Sequence, residues 1–258
     1  MSPARVIGAL LGALLVLFII GPLLRLLWEA SPAALASAAA DTEVRDAIAL
    51  TVLAAGAATV LALLLGIPLG YALARYRFPG SGLLRGILDL PVVIPHPVAG
   101  IALLLFLGRQ SAIGGALGRA GLEIVSHVSG IIAAMLFVSA PLLVSGAREA
   151  FASVDPKLER VARTLGDSAW SAFRRVTLPL AGRGILAGAL LAWGRSVSEF
   201  GAIVILAYHP KVASILIYDR FTLYGLPAAV PVAALLLLVA LAVFVLLRWL
   251  EPRRGPLR

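Results

Sequence analysis

The sequence predicts an all-α integral membrane protein with six spanning helices and a pair of short polar helices on one side of the bilayer. Three observations predict it. The 258 residues are 61% hydrophobic with a mean hydropathy of +1.01, well above the ~45–50% apolar usage of soluble domains. Six apolar runs are long enough to cross a hydrocarbon core of ~30 Å, which takes about 20 helical residues. The basic residues gather at alternate ends of those runs, as they do in membrane proteins with fixed orientation.

The first run covers residues 6–28. Arg5 before it and Ala34-Leu35-Ala36 after it imitate a cleaved signal peptide, but the run exceeds the ~7–15 residues of a signal h-region. It is therefore a span. The second run covers 47–74 and the third 83–108. Within the third, Leu90-Pro91-Val92-Val93-Ile94-Pro95-His96-Pro97 lacks three backbone donors, so that span must bend or break. In lipid an unpaired backbone carbonyl costs several kcal/mol, which restricts such a break to the bundle interior or a wet cavity. Pro91, Pro95, His96 and Pro97 are thus candidates for a pathway or gate, with a packing kink as the plainer alternative. His96 inside the break is either an ion contact or a hydrogen-bonded structural residue. The fourth run covers 128–147, the fifth 182–207 and the sixth 226–250, all within a single membrane domain 1–258. The fifth carries Arg195 and Glu199, four residues apart and so on one helical face. Charge at mid-membrane costs at least ~2.5–3.5 kcal/mol, so the two should pair inside the bundle. The pair is either an anion guide or a buried clamp, and Glu199 would cancel the attraction an oxyanion needs.

Orientation follows from the charge. With the N-terminus inside, the cytoplasmic segments hold 15 basic residues and the outer loops 5, which places both termini in the cytoplasm. Basic charge dealt out at alternate span ends excludes a nucleic-acid surface, which would gather it on one folded face. With no cysteine in the chain, disulfides, thiolate metal sites and cysteine nucleophiles are excluded. The histidines His96, His127 and His209 are scattered, and no H-E-x-x-H, G-x-S-x-G or Walker A motif occurs, which argues against a membrane enzyme and against ATP hydrolysis by this chain.

The longest polar stretch, from Arg148 to Thr177, is the most informative. Asp155 caps a helix that has Pro156 at its first position and stops at Gly166. Val154, Leu158, Val161, Ala162 and Leu165 fall at helical spacing on one face. A second start at Asp167 or Ser168 opens another short helix bearing Trp170, Phe173 and Val176, closed by Pro179. The resulting apolar ridge is too small to form a core, so it docks either on lipid headgroups or in a groove on a partner protein.

The spacing of this segment resembles that of ABC importer permeases, whose cytoplasmic loop reads EAA, three residues, Gly, nine residues, I-x-L-P. Here Arg160-Val161-Ala162 stands in the EAA place, Gly166 is the glycine, and Val176-Thr177-Leu178-Pro179 closes the pattern. Arg160 departs from the acidic residue of the family, and Glu159 lies one position earlier. Further resemblance, to molybdate and tungstate permeases, lies in Leu90 to Gly100 and in Ser198-Glu199-Phe200-Gly201-Ala202. The resemblance implies a type I importer fold, with Asp155 to Pro179 forming coupling helices that sit in clefts of two ATPase subunits. It also implies a second copy of this chain and an external oxyanion-binding protein as partners, with ATP and Mg²⁺ held by the ATPase and no cofactor in this chain. Permeases for sulfate or phosphate share this plan; a channel would explain the spans but not the cytoplasmic helices.

Overall fold

The computed structural model describes residues 3–76 and 78–249; of the basic residues counted above, Arg77, Arg253, Arg254 and Arg258 lie outside the described residues, as does the end of the sixth run. In chain order the helices are α1 (Pro3–Glu29), α2 (Pro32–Ala40), α3 (Thr42–Arg75), α4 (Ser81–Val93), α5 (His96–Leu107), α6 (Ala112–Arg119), α7 (Val128–Ala152), α8 (Pro156–Thr164) and α9 (Ala169–Ala172). A π-helical turn, Phe173–Thr177, leads into α10 (Leu178–Val197), followed by α11 (Ile203–Leu206), α12 (Ala213–Tyr224) and α13 (Leu226–Trp249). Among the described residues, five helical stretches are long and apolar enough to cross a membrane alone: α1, α3, α7, the 169–197 stretch and α13. The bent pair α4 and α5 makes the sixth when counted as one span.

The interruption expected in the third run falls at Ile94 and Pro95, where α4 and α5 meet at a bend of 113°. Pro95 is the N-cap of α5 and Pro97 lies in its first turn, where a missing N–H leaves no intrahelical bond unmade. Single prolines at 22, 68, 141 and 231 lie inside α1, α3, α7 and α13 without ending them. The break therefore needs the clustered prolines, not one alone.

Three helices form the centre. α7 packs along both α3 and α10, and its buried side mixes large side chains such as Met135, Leu143 and Phe151 with small ones such as Ala134, Gly146 and Ala147, the small ones allowing the close backbone approach that holds helices together in lipid. A Cβ added at Gly146 of α7 would lie 2.9 Å from the Cα of Gly188 in α10, so this crossing admits nothing larger. Around one half, Ala54, Ala55 and Ala58 of α3 join Ala134 and Met135 of α7, Trp193 of α10 and Ile203 of α11 in one buried cluster. Around the other half, Ala147, Ala150 and Phe151 of α7 meet Ala181 and Ile185 of α10. The apolar residues turned outward are the bilayer surface; α1 is exposed along its length, with Phe18 at 76%.

Two expectations need correction. The helix opened at Ser168 does not close at Pro179: it passes through the π-turn directly into α10. Pro179 sits in the first turn of α10, and the wider turn before it accommodates the missing donor. The fifth span ends earlier than the apolar run suggests, at Val197, so Arg195 is in its last turn and Glu199 lies beyond it.

Candidate functional site

At one end of the bundle, where α3 and α7 finish, the 155–179 segment folds back beneath them. Asp155 caps α8, its Oδ1 accepting from the Lys157 backbone N–H at 2.8 Å. Gly166 ends the stretch at φ +102° with open space around it, so the requirement for glycine is conformational and not steric. Ser168 then caps α9, accepting from the Ser171 N–H at 3.1 Å. α8 buries none of its residues. Leu158, Val161, Leu165 and Trp170 are exposed, Leu165 at 83%, and Ala162 is half-buried among them. Lys157, Arg160, Arg163, Arg174 and Arg175 are exposed beside this ridge. Phe173 is half-buried between this ridge and the spans, with the Trp170 ring stacked on it at 5.5 Å. It meets the Tyr71 ring of α3 edge-on at 4.9 Å, and Tyr71 in turn meets Phe151 of α7 at 5.3 Å.

Polar contacts to this segment come from residues that spacing alone does not single out. Tyr71 Oη donates to Glu159 Oε1 at 2.8 Å, and Thr177 Oγ1 donates to Glu159 Oε2 at 2.9 Å. Arg75 Nη1 donates to the Val154 carbonyl at 3.0 Å. The acidic residue of the segment is thus occupied from within the chain, while Arg160 faces outward.

The second constellation lies at the break between α4 and α5. The two segments most like those of molybdate and tungstate permeases pack on each other: a Cβ added at Gly201 would lie 2.7 Å from His96 Cβ, and one at Gly100 would lie 2.9 Å from the Ala202 carbonyl oxygen. Arg195 Nη2 donates to Glu199 Oε2 at 2.6 Å and to His96 Nε2 at 2.6 Å. A guanidinium only donates, so Nε2 is the acceptor and the ring proton sits on Nδ1, 3.9 Å from Glu199 Oε2. The Glu199 carboxylate is fully buried and its Oε1 also accepts from the Ala202 N–H at 2.7 Å. Its own carbonyl accepts from Ser214 Oγ at 2.8 Å. Glu199 therefore ties α10, α5 and α12 together, and Arg195 has its charge neutralised in place.

Pro91 belongs to different surroundings. It lines a cavity of about 740 Å³ between α3, α4, α5 and α7, walled throughout by Ala, Gly, Val, Leu, Ile, Phe and Pro. Those side chains have no donor with which to hold an anion. Among the described residues no group of three or more His, Cys, Asp or Glu could hold a metal ion.

The family model for the binding-protein-dependent transport system inner membrane component matches residues 66–256. The molybdate/tungstate transport system permease protein of Thermococcus kodakarensis is 46% identical over 83% of this chain and 82% of its own length. Its counterpart from Pyrococcus furiosus is 44% identical over 94% of this chain and 93% of its own. A solved structure of a bacterial ABC transporter involved in alginate import has the same fold, with a TM-score of 0.70, 20% identity, and coverage of 96% of this chain and 94% of the other. This helical membrane bundle, matched along most of its length by that model and those permeases, belongs to the binding-protein-dependent transport system inner membrane components.

Proposed function

We propose that this chain is the membrane-spanning permease subunit of an ABC importer that carries molybdate and tungstate across the cell membrane. It works as a homodimer with two ATPase subunits on the cytoplasmic side, where ATP and Mg²⁺ bind, and receives its oxyanion from an external binding protein. Both termini are cytoplasmic, and the residues from Asp155 to Pro179 are the coupling segment.

One observation carries the coupling assignment: the exposed ridge Leu158, Val161, Leu165 and Trp170 belongs to a helix that buries nothing in its own chain. An apolar ridge rimmed by basic residues, at the end of the bundle where the basic charge is concentrated, fits a cleft on a cytoplasmic partner better than water. A second observation favours the homodimer. The His96 side chain is 42% exposed and Arg195 21% exposed in a membrane-embedded part of the chain, where polar groups do not face lipid; a second copy and the wet pathway between the copies cover them. Arg195 and Glu199 serve as a clamp at the edge of that pathway, beside the break formed by Pro95, His96 and Pro97.

Affinity purification from detergent tests the assignment. The unmodified protein retains an ATPase subunit. Ala162→Glu, which places an unpaired charge in an apolar contact, weakens that association by about 100-fold, equivalent to ~3 kcal/mol. Full retention of the ATPase and of molybdate uptake in Ala162→Glu would remove the coupling segment from the mechanism.

A further inference from the structure

The position of Glu159 raises a question that the docking ridge does not answer: how does movement of α8 reach the spans? α8 contributes no buried side chain, so apolar packing does not anchor it. Its carboxylate does. Tyr71, from which Oε1 accepts at 2.8 Å, lies one turn before the end of α3. Thr177, from which Oε2 accepts at 2.9 Å, is fully buried and is the last residue before α10. Hydroxyl–carboxylate hydrogen bonds are charge-assisted and directional, and one side chain here receives two of them from two spans separated by 88 and 18 residues along the chain.

The surroundings favour transmission over mere attachment. The Tyr71 ring is packed against Phe151 and Phe173, so a pull on its hydroxyl also loads α7. The Arg75 contact to the Val154 carbonyl fixes the start of the segment to the same end of α3. Thr177 closes a π-helical turn, a locally widened geometry in which one helical turn can rewind without unfolding the helix. The segment is therefore held stiffly on the α3 side and joined to α10 through a deformable turn.

We propose that Glu159 is the positioning residue that converts displacement of α8 into relative movement of α3 and α10, acting through Tyr71 and Thr177. The inference rests on the coupling reading above: the ATPase moves α8, and the carboxylate passes that movement on. Glu159 itself touches neither nucleotide nor oxyanion.

The test uses the whole transporter, reconstituted in proteoliposomes with its copurified ATPase and external binding protein, and reads radiolabelled molybdate imported per ATP hydrolysed. Tyr71→Phe combined with Thr177→Val removes only the two hydroxyls and keeps the ring and methyl packing. This double variant and Glu159→Ala retain the ATPase and hydrolyse ATP within about twofold of the unmodified complex, but import about tenfold less molybdate per ATP. Glu159→Gln stays within about threefold of the unmodified ratio, because its amide oxygen still accepts from Tyr71 and its NH₂ donates to the Thr177 hydroxyl. An unchanged ratio in the double variant would overturn the inference. So would a Glu159→Gln complex as impaired as Glu159→Ala, because the amide keeps a partner for both hydroxyls. Absence of any ATPase from the unmodified protein would overturn the coupling reading and, with it, this inference.

Discussion

Arg195 and Glu199 show what a residue's neighbours decide. An i, i+4 spacing announces the pair in the sequence, and the structure confirms the contact at 2.6 Å; yet the third member, His96, is 99 residues away and enters only when the chain folds. A fully buried carboxylate that loses its partner keeps its desolvation cost, so Arg195→Met alone destabilises the protein by about 3–5 kcal/mol. Adding Glu199→Leu removes the orphaned charge and recovers most of that loss. Thermal unfolding in detergent measures both. A clamp further requires the double variant to keep more than about half of its molybdate uptake; uptake abolished in a well-folded double variant would assign the pair to the pathway itself. Gly166 is the second residue with a decisive local property. At φ +102° a β-branched side chain costs roughly 1–2 kcal/mol, so Gly166→Val shifts the end of α8 and lowers ATPase retention while insertion in the membrane stays normal.

At the scale of elements, the break between α4 and α5 is over-determined. Pro95 and Pro97 start it, one turn after the Pro91 that α4 still contains, and the close contacts of Gly201 with His96 and of Gly100 with Ala202 hold it. Pro95→Ala with Pro97→Ala restores two backbone donors, allows the helix to continue, and strains those contacts; uptake falls by about tenfold or more while the ATPase remains bound. Normal uptake by the folded double variant would reduce the prolines to packing features. At the end of the bundle away from the 155–179 segment, Arg220 of α12 pairs with Asp41, the N-cap of α3, at 2.7 Å. That hydrogen bond holds the Asp41 carboxyl below its ordinary range. A depressed folded-state value stabilises the protein above the unfolded carboxylate pKa of ~3.9, and the benefit is lost as pH falls through the folded value. The thermal midpoint therefore drops on acidification below about pH 4, and less so in Asp41→Asn. How much of these elements the sequence discloses follows from range. Caps, glycine stops and apolar runs are local signals, and Asp155, Gly166 and the 113° break lie where they point. The π-turn, the packing of Phe173 on Tyr71 and the helix α12 depend on contacts between distant segments, and no local pattern marks them. Glu159 is visible as the acid one place early, but its partners Tyr71 and Thr177 become evident only in three dimensions.

The whole molecule is a bundle whose two ends do different work, one presenting a basic, apolar-ridged segment and the other an ion-paired cap. The 15 to 5 distribution of basic residues supports the proposed orientation, with the ridge in the cytoplasm. Because the chain has no cysteine, single substitutions report without background. Thr164→Cys, at the exposed end of α8, is shielded from an impermeant thiol reagent in intact cells and labels after permeabilisation, whereas Thr222→Cys in α12 labels from outside; both positions are exposed, so burial does not confuse the result. Labelling of Thr164→Cys in intact cells would invert the topology.

The most direct measurement of the importer reading is accumulation of radiolabelled molybdate in proteoliposomes that contain this chain with its copurified ATPase and external binding protein. ATP supplied on the side of the 155–179 segment drives accumulation, tungstate competes with it, sulfate at equal concentration competes far less, and no accumulation occurs without ATP or without the binding protein. Equal competition by sulfate would contradict the assigned substrate, and molybdate flux that persists without ATP would contradict the importer itself, leaving a channel in its place.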